Sequence, residues 1–286
     1  MNAANQLSIG QCATLACLLE VAAPKPGNVH RGADLADLTF GDFLTSAVAI
    51  GPAMQAAQDG ASLGETVYWA VTATRRLVGK NTNLGTILLL APLASVPREV
   101  PLAEGLPKVL STLGAADARR VYEAIRLAEP GGMGKVKKWD LQDQPPDDLI
   151  AAMRQAADRD MVARQYVENF AQVLNCAAAW LVEELREGSS LSDTIVHTHL
   201  RLMSRFPDSL IARKGGLEVA RQFAERARAV LAAGRPDEFP YRLEVGCLEV
   251  SLRSDPYRHN PGTTADLIAA GLFADLRDGI ISPPFD

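Results

Sequence analysis

At 286 residues, 48 % of them apolar, with 22 glycines and 17 prolines, the chain can bury a full core and is neither disordered nor fibrous in composition. A formal net charge of −5 leaves no basic excess to neutralise phosphates along a nucleic-acid backbone, although a compact site for one small polyanion stays open. No apolar run approaches the roughly 18–20 residues that span a bilayer, and the apolar stretch over 12–23 fails as a secretory signal because no Lys or Arg precedes it and Glu20 interrupts it.

The chain is rich in alanine and nearly devoid of alternating β-branched segments, which favours helix over strand. Apolar residues three or four apart predict helices over 7–21, 40–58, 66–78, 106–113, 117–127, 149–185, 191–203, 217–231 and 265–276. Thr39-Phe40-Gly41-Asp42 and Ser62-Leu63-Gly64-Glu65 read as capping boxes, and Asn260-Pro261 reads as a capping amide before a proline at the first helical position. Gly188, Gly234 and Gly279 mark stops. The segment 245–251 has the composition of a short strand in a setting that favours helix. The interruptions are too short for flexible linkers, so the expectation is one all-α domain over 1–286 with its site at helix-end loops. Cys12, Cys17, Cys176 and Cys247 form no CxxC pair, as expected of reduced thiols in a cytoplasmic protein.

The connections hold the unusual chemistry. Pro24-Lys25-Pro26-Gly27 stiffens a loop that offers Lys25, His30 and Arg31 to an anion at low ordering cost, although solvated cations after a helix stop are the plainer reading. Gly79-Lys80-Asn81-Thr82-Asn83-Leu84-Gly85 leads into a helix start, where unpaired N–H groups bind phosphate or simply need a cap. Asp208 through Gly216 supplies an acid, two cations and paired glycines, or else an aspartate cap on a one-turn helix. Asn260 through Asp266 is a similar island, its aspartate facing a metal or the helix dipole. Together, cations and N–H groups for phosphate beside carboxylates for a metal are what a magnesium polyphosphate site requires.

These segments carry a resemblance. Pro-Lys-Pro-Gly-x-Val-x-Arg, Asp37-Leu38, Gly79-x-Asn81-Thr82, Asp208 with Arg213-x-Gly215-Gly216, and Asn260-Pro261-Gly262-x-x-Ala265-Asp266-Leu267 occur in the order seen in the triphosphoribosyl-dephospho-CoA synthase family, over nearly the whole chain. The resemblance implies an all-helical cytoplasmic enzyme that transfers the triphosphoribosyl group of ATP to the 2′-hydroxyl of 3′-dephospho-CoA and releases adenine. It implies a nucleotide site lined by Lys25, Arg31, Asp37, Asn81, Thr82, Asp208, Arg213, Gly215, Gly216, Gly262 and Asp266. Within it, Asp37 is the candidate general base and Asp208 and Asp266 the candidate magnesium ligands, while Lys25, Arg31 and Arg213 hold phosphate and Asn81 and Thr82 orient ribose or phosphate. The expected partners are ATP, Mg²⁺ and dephospho-CoA or a related acceptor, with no nucleic acid or membrane, and an assembly of identical chains stays open.

The departures bear on the acceptor. Leu35 stands where the family has His, Asn83-Leu84 replaces His-Lys, and Ser209-Leu210 replaces Thr-Asn. These changes motivate two alternatives: phosphoribosyl-type transfer to another cofactor precursor, for example pterin-type, and nucleotide binding without turnover. Several other features read as structural. His197-x-His199 points to two sides of a helix, Asp158, Arg159, Asp160 and Arg164 are spaced for ion pairs on one, and the loop Gly131-Gly132-Met133-Gly134 lacks the Walker ending.

Overall fold

The computed structural model describes residues 6–131 and 146–285, so Lys135, Lys137, Lys138, Trp139 and most of the glycine-rich loop lie outside the described residues. The helices are α1 (Ile9–Ala22), α2 (Phe40–Gln58), α3 (Leu63–Val78), α4 (Leu84–Ser95), α5 (Leu102–Ser111), α6 (Ala115–Ala128), α7 (Leu149–Ala156) and α8 (Met161–Val167). A π-helical turn (Val173–Ala178) then leads into α9 (Ala179–Arg186), followed by α10 (Leu191–Arg205), α11 (Ser209–Gly215), α12 (Leu217–Ala232), α13 (Phe239–Arg253) and α14 (Gly262–Arg277). Among the described residues there is no strand, only an isolated bridge between His30 and Ala33.

Two helices form the centre. Every residue from Leu267 to Arg277 of α14 and from Thr86 to Ala94 of α4 is buried, which is the pattern of a helix apolar all round and enclosed by others. α1 packs along α14 on one side and α2 on the other, and its crossing with α2 is close enough that a Cβ on Gly10 would lie 2.6 Å from the Gly51 carbonyl oxygen. The Thr39 read holds as a full capping box, and the Ser62 read holds as a cap without the reciprocal bond. Thr39 and Asp42 exchange a backbone–side-chain pair at 2.9 and 3.2 Å, and Ser62 accepts from the Glu65 N–H at 3.3 Å. Gly188, Gly234 and Gly279 all take positive φ.

Two expectations fail for identifiable reasons. The predicted helix over 149–185 breaks twice. Asp160 caps α8 through the Val162 and Ala163 N–H groups, and Asn169 and Phe170 then turn left-handed at φ 49° and 60°. The second break is fixed by buried Gln165, whose amide donates to Gln172 Oε1 at 2.5 Å and accepts from the Gln172 N–H at 3.2 Å. The segment 245–251 lies within α13, helical as its setting favoured. Asn260 does not cap α14; it accepts from Asn28 Nδ2 at 2.7 Å instead, tying the loop after α1 to the loop before α14.

Candidate active site

A cavity of about 940 Å³ opens where the N-termini of α4 and α14 meet, at the upper end of small-molecule site sizes. Its floor comes from Asn81 through Thr86 and from Gly262, Thr263, Ala265 and Asp266, one wall from Cys17, Glu20, Asn28 and Val29, and its rim from the α7–α8 and α10–α12 corners.

The floor is set by one close approach. A Cβ at Gly85 would overlap Asp266 Oδ2, so glycine there lets the carboxylate rest on the first turn of α4. Asp266 Oδ1 accepts from Thr86 Oγ1 at 2.6 Å, and the carboxylate also takes the Thr86 N–H. Asn81 Oδ1 takes the Leu84 N–H at 3.2 Å, while Asn83, at the cap position, makes no side-chain cap bond. Thus part of the α4 N-terminus expected to face phosphate is already capped from within the fold. Burial, with the charges of Glu20 and Asp208 adding to it, pushes the Asp266 carboxyl up to about 8. Thr82 Oγ1 lies 2.5 Å from Ser46 Oγ, which fixes the segment between α3 and α4 against α2.

The structure separates the expected site residues into two groups. Asn81, Thr82, Arg213, Gly262 and Asp266 line the cavity, and Lys25, Arg31, Asp37, Asp208, Gly215 and Gly216 do not. Lys25 is fully buried. Its ammonium pairs with Glu20 Oε1 at 2.9 Å, donates to the Ala23 carbonyl at 3.2 Å and also bonds the Glu20 carbonyl, so its three protons are engaged and none faces the cavity. Asp208 is likewise enclosed. One oxygen accepts the Leu210 and Ile211 N–H groups at 2.8 and 3.0 Å, and the other accepts Thr264 N–H and Oγ1 at 2.7 and 2.8 Å. A carboxylate offers about four accepting directions, and these four bonds fill them. Asp208 therefore locks α11 onto α14 with nothing left for a metal. Arg31 and Asp37 are exposed on the loop between α1 and α2, beyond the Leu38 side chain that does line the cavity. Gly216 turns the chain between α11 and α12 at φ 97°.

Other groups take those places. Glu20 lines the cavity, and burial raises its carboxyl while Lys25 opposes the rise. Arg159, Arg164, Arg205 and Lys214 join Arg213 on the rim. Arg213 pairs with Asp160 at 3.3 Å, and Lys214 Nζ sits 4.1 Å from the centre of the Tyr257 ring. Burial and neighbouring Arg213 lower the Lys214 ammonium, against the charge of Asp37. Hence Asp158 through Arg164 border the cavity, where the sequence had suggested ion pairs along a helix. The two α10 histidines diverge: His197 Nδ1 lies 3.0 Å from Tyr241 Oη, and His199 is fully buried. Among the described residues no three or more His, Cys, Asp or Glu side chains are grouped to hold a metal ion, and no helix is long and apolar enough to cross a membrane.

Residues 6–283 match the profile of the family described as CitG: ATP:dephospho-CoA triphosphoribosyl transferase. The chain belongs to that family. It is 27 % identical over 273 residues to a probable 2-(5″-triphosphoribosyl)-3′-dephosphocoenzyme-A synthase of Stutzerimonas stutzeri, covering 92 % of this chain and 88 % of the relative. A protein of the same name from Pseudomonas syringae pathovar tomato is 24 % identical, covering 91 % of this chain and 88 % of that one. The crystal structure of a triphosphoribosyl-dephospho-CoA synthase, so described, from Archaeoglobus fulgidus superposes with a TM-score of 0.64 at 28 % identity, covering 84 % of this chain and 99 % of that one. Membership makes the chain a transferase of the CitG type and agrees with the all-helical frame.

Proposed function

We propose that this CitG-family chain transfers the triphosphoribosyl group of ATP to the 2′-hydroxyl of 3′-dephospho-CoA and releases adenine, in the cytoplasm. The observation that carries the site reading is that one cavity holds two inner carboxyls, Glu20 on its wall and Asp266 on its floor, below a rim where Arg159, Arg164, Arg205, Arg213 and Lys214 outnumber Asp158 and Asp160. The rim cations hold the triphosphate, a task first expected of Lys25, Arg31 and Arg213, of which only Arg213 lines the cavity. Asn81 and Thr82 orient ribose or phosphate at the α4 end. Breaking the bond between ribose and adenine develops positive charge at the sugar, and Glu20 and Asp266, once ionised, face that charge.

Glu20 replaces Asp37 as the candidate general base. It borders the cavity, burial makes it a stronger proton acceptor than a solvated carboxylate, and Lys25 fixes one of its oxygens so that the other is left for the acceptor hydroxyl. Asp37 acts through Lys214, keeping that ammonium charged. Magnesium fits the floor in one respect: a carboxyl raised by burial, with neighbouring negative charge adding to it, is one that a cation would ionise. Asp266 would hold it together with substrate phosphates, since Mg²⁺ commonly takes only one or two protein carboxylates. Bound there, it would neutralise charge on the phosphates. Asp208 is withdrawn from this role.

The test is incubation with ATP, Mg²⁺ and dephospho-CoA, following free adenine and the mass of the acceptor product. Adenine release that requires dephospho-CoA supports the reading. Release only with another acceptor supports a second one, in which a different cofactor precursor, for example pterin-type, is used; Leu84 and Leu210 line the cavity where the family carries Lys and Asn, which motivates it. ATP binding without release under any acceptor would make the chain a nucleotide-binding protein and overturn both.

A further inference from the structure

The loop after α1 meets the loop before α14 through a pair of amides at the cavity wall. Asn28 lines the cavity and is only 5 % exposed, and its Nδ2 donates to Asn260 Oδ1 at 2.7 Å. Its backbone is held as firmly: the N–H donates to the Lys25 carbonyl at 3.2 Å, and the carbonyl accepts from Arg253 Nη2 at 2.7 Å. One atom is left over. The buried Oδ1 of Asn28 takes no hydrogen bond from the described residues. A buried acceptor without a donor is destabilising, and one that belongs to a cavity wall finds its partner in what occupies the cavity.

Among the described residues that line the cavity, Asn28 and Asn83 alone carry such a buried, unpartnered side-chain atom, and the two are opposite in kind. Asn83 Nδ2 is a donor at the start of α4, where it suits phosphate oxygens. Asn28 Oδ1 can only accept, so its partner is a hydroxyl or an amine rather than an ionised phosphate. Position narrows the choice. Asn28 shares its wall with Glu20, and Lys25 joins them, pairing with the Glu20 carboxylate at 2.9 Å while its carbonyl takes the Asn28 N–H. With Glu20 receiving the proton of the acceptor's 2′-hydroxyl, the neighbouring group on the same ribose is the 3′-hydroxyl.

We infer that Asn28 Oδ1 accepts a hydrogen bond from the 3′-hydroxyl of dephospho-CoA and thereby selects that acceptor over CoA, which carries a 3′-phosphate instead. One hydroxyl on the carboxylate and its neighbour on the amide fix the ribose and aim the attacking oxygen. A 3′-phosphate would set negative charge against a buried carbonyl oxygen beside Glu20. Lys25 cannot offset it, because its three ammonium protons are already engaged. This inference rests on the acceptor and the base proposed above.

The test follows adenine release by the full chain, with saturating ATP and Mg²⁺, on three acceptors: dephospho-CoA, its 3′-deoxy analogue and CoA. In the wild type, kcat/KM should be about 10–100-fold lower for the 3′-deoxy analogue and at least about 10³-fold lower for CoA. In Asn28→Ala, dephospho-CoA should fall to the level of the 3′-deoxy analogue while the analogue itself loses nothing more, so that the two become equal. A residue that merely ties the two loops together would lower both acceptors alike and leave their ratio unchanged, which overturns the inference. A loss that appears in KM for ATP in place of the acceptor ratio also overturns it, by turning Oδ1 toward the donor nucleotide. Should Asn28→Ala fail to fold, the wild type decides: equal use of dephospho-CoA and its 3′-deoxy analogue refutes the contact. No adenine release with dephospho-CoA removes the reaction reading and this inference together, whereas release indifferent to the 3′-hydroxyl removes this inference alone.

Discussion

Lys25 and Lys214 both lie in proline- or glycine-marked segments between the longer helical patterns of the sequence, and the fold puts them to opposite uses. Lys25 is enclosed, every ammonium proton bonded to Glu20 or a carbonyl of its own loop. Lys214 is half-buried on the cavity rim, held over the Tyr257 ring, and among the described residues no carboxylate forms an ion pair with it. Asp208 and Asp266 divide in the same way, one carrying four internal hydrogen bonds and the other raised to about 8 beside open space. The lesson is that a family motif mixes residues that build the wall with residues that face the ligand. Saturation of hydrogen-bonding capacity tells them apart.

The largest expected effect falls on the cavity side of that division. Glu20→Gln keeps shape and the Lys25 contact but cannot take a proton at neutral pH, so turnover should fall about 10²–10⁴-fold with ATP affinity unchanged. Steady-state rates together with nucleotide titration read both. Full activity in this variant removes Glu20 from the chemistry. On the wall side, Lys25→Met and Asp208→Ala should each cost about 3–5 kcal/mol of stability, because a buried charge or a set of buried donors is left without its partner. Denaturant unfolding measures this, and losses below about 1 kcal/mol would mean that these residues are not the scaffold described.

Asp266 gives a pH signature. Its folded pKa, about 8, lies above the unfolded value near 3.9. Between those two values the folded state holds the proton that the unfolded state has lost, so its contribution to stability declines as pH rises from about 4 to about 8 and is constant outside that window. Asp275, also pushed up to about 8 by burial and the charge of Asp278, acts in the same direction. Asp266→Asn should therefore match the wild type in thermal melts at pH 4 and exceed it at pH 8, while losing the additional stabilisation that magnesium gives with ATP. A variant no more stable than wild type at pH 8 would refute the raised carboxyl. Smaller again are the rim effects. Lys214→Met should weaken ATP binding about 10–100-fold with little change in melting, and Asp37→Asn, which acts only through Lys214, only a few-fold. Calorimetric titration ranks the two, and a larger loss from Asp37→Asn would return Asp37 to the reacting centre.

Much of the frame was legible because caps and stops are local. Thr39, Ser62 and the glycines after α9, α12 and α14 act within their own turn. The breaks at Asp160 and Gln165 were not: a continuous apolar period masks the Asp160 cap, and the Gln165 bonds form only once Gln172 is brought alongside. Of the site, the converging loops were readable and the individual roles were not. Glu20 did give a signal, a carboxylate inside an otherwise apolar helix, but sequence alone could not say whether it met a lysine, a solvent channel or a ligand. Among the rim arginines Arg213 stood out through its motif, whereas Arg159 and Arg164 did not, because their spacing equally suits ion pairs along a helix.

One consequence follows from the position of α14 in the chain. It is the most enclosed helix and also the last of those described to leave a ribosome, so during synthesis the apolar flanks of α1 and α4 have no cover until residues beyond Gly262 emerge. The growing polypeptide thus passes most of its translation as an unfinished shell around an absent centre, a state prone to mispairing and to capture by chaperones. A fragment ended before Gly262 should be compact, bind a hydrophobic dye and melt without cooperativity. Sharp unfolding of that fragment would show that the other helices close a core by themselves.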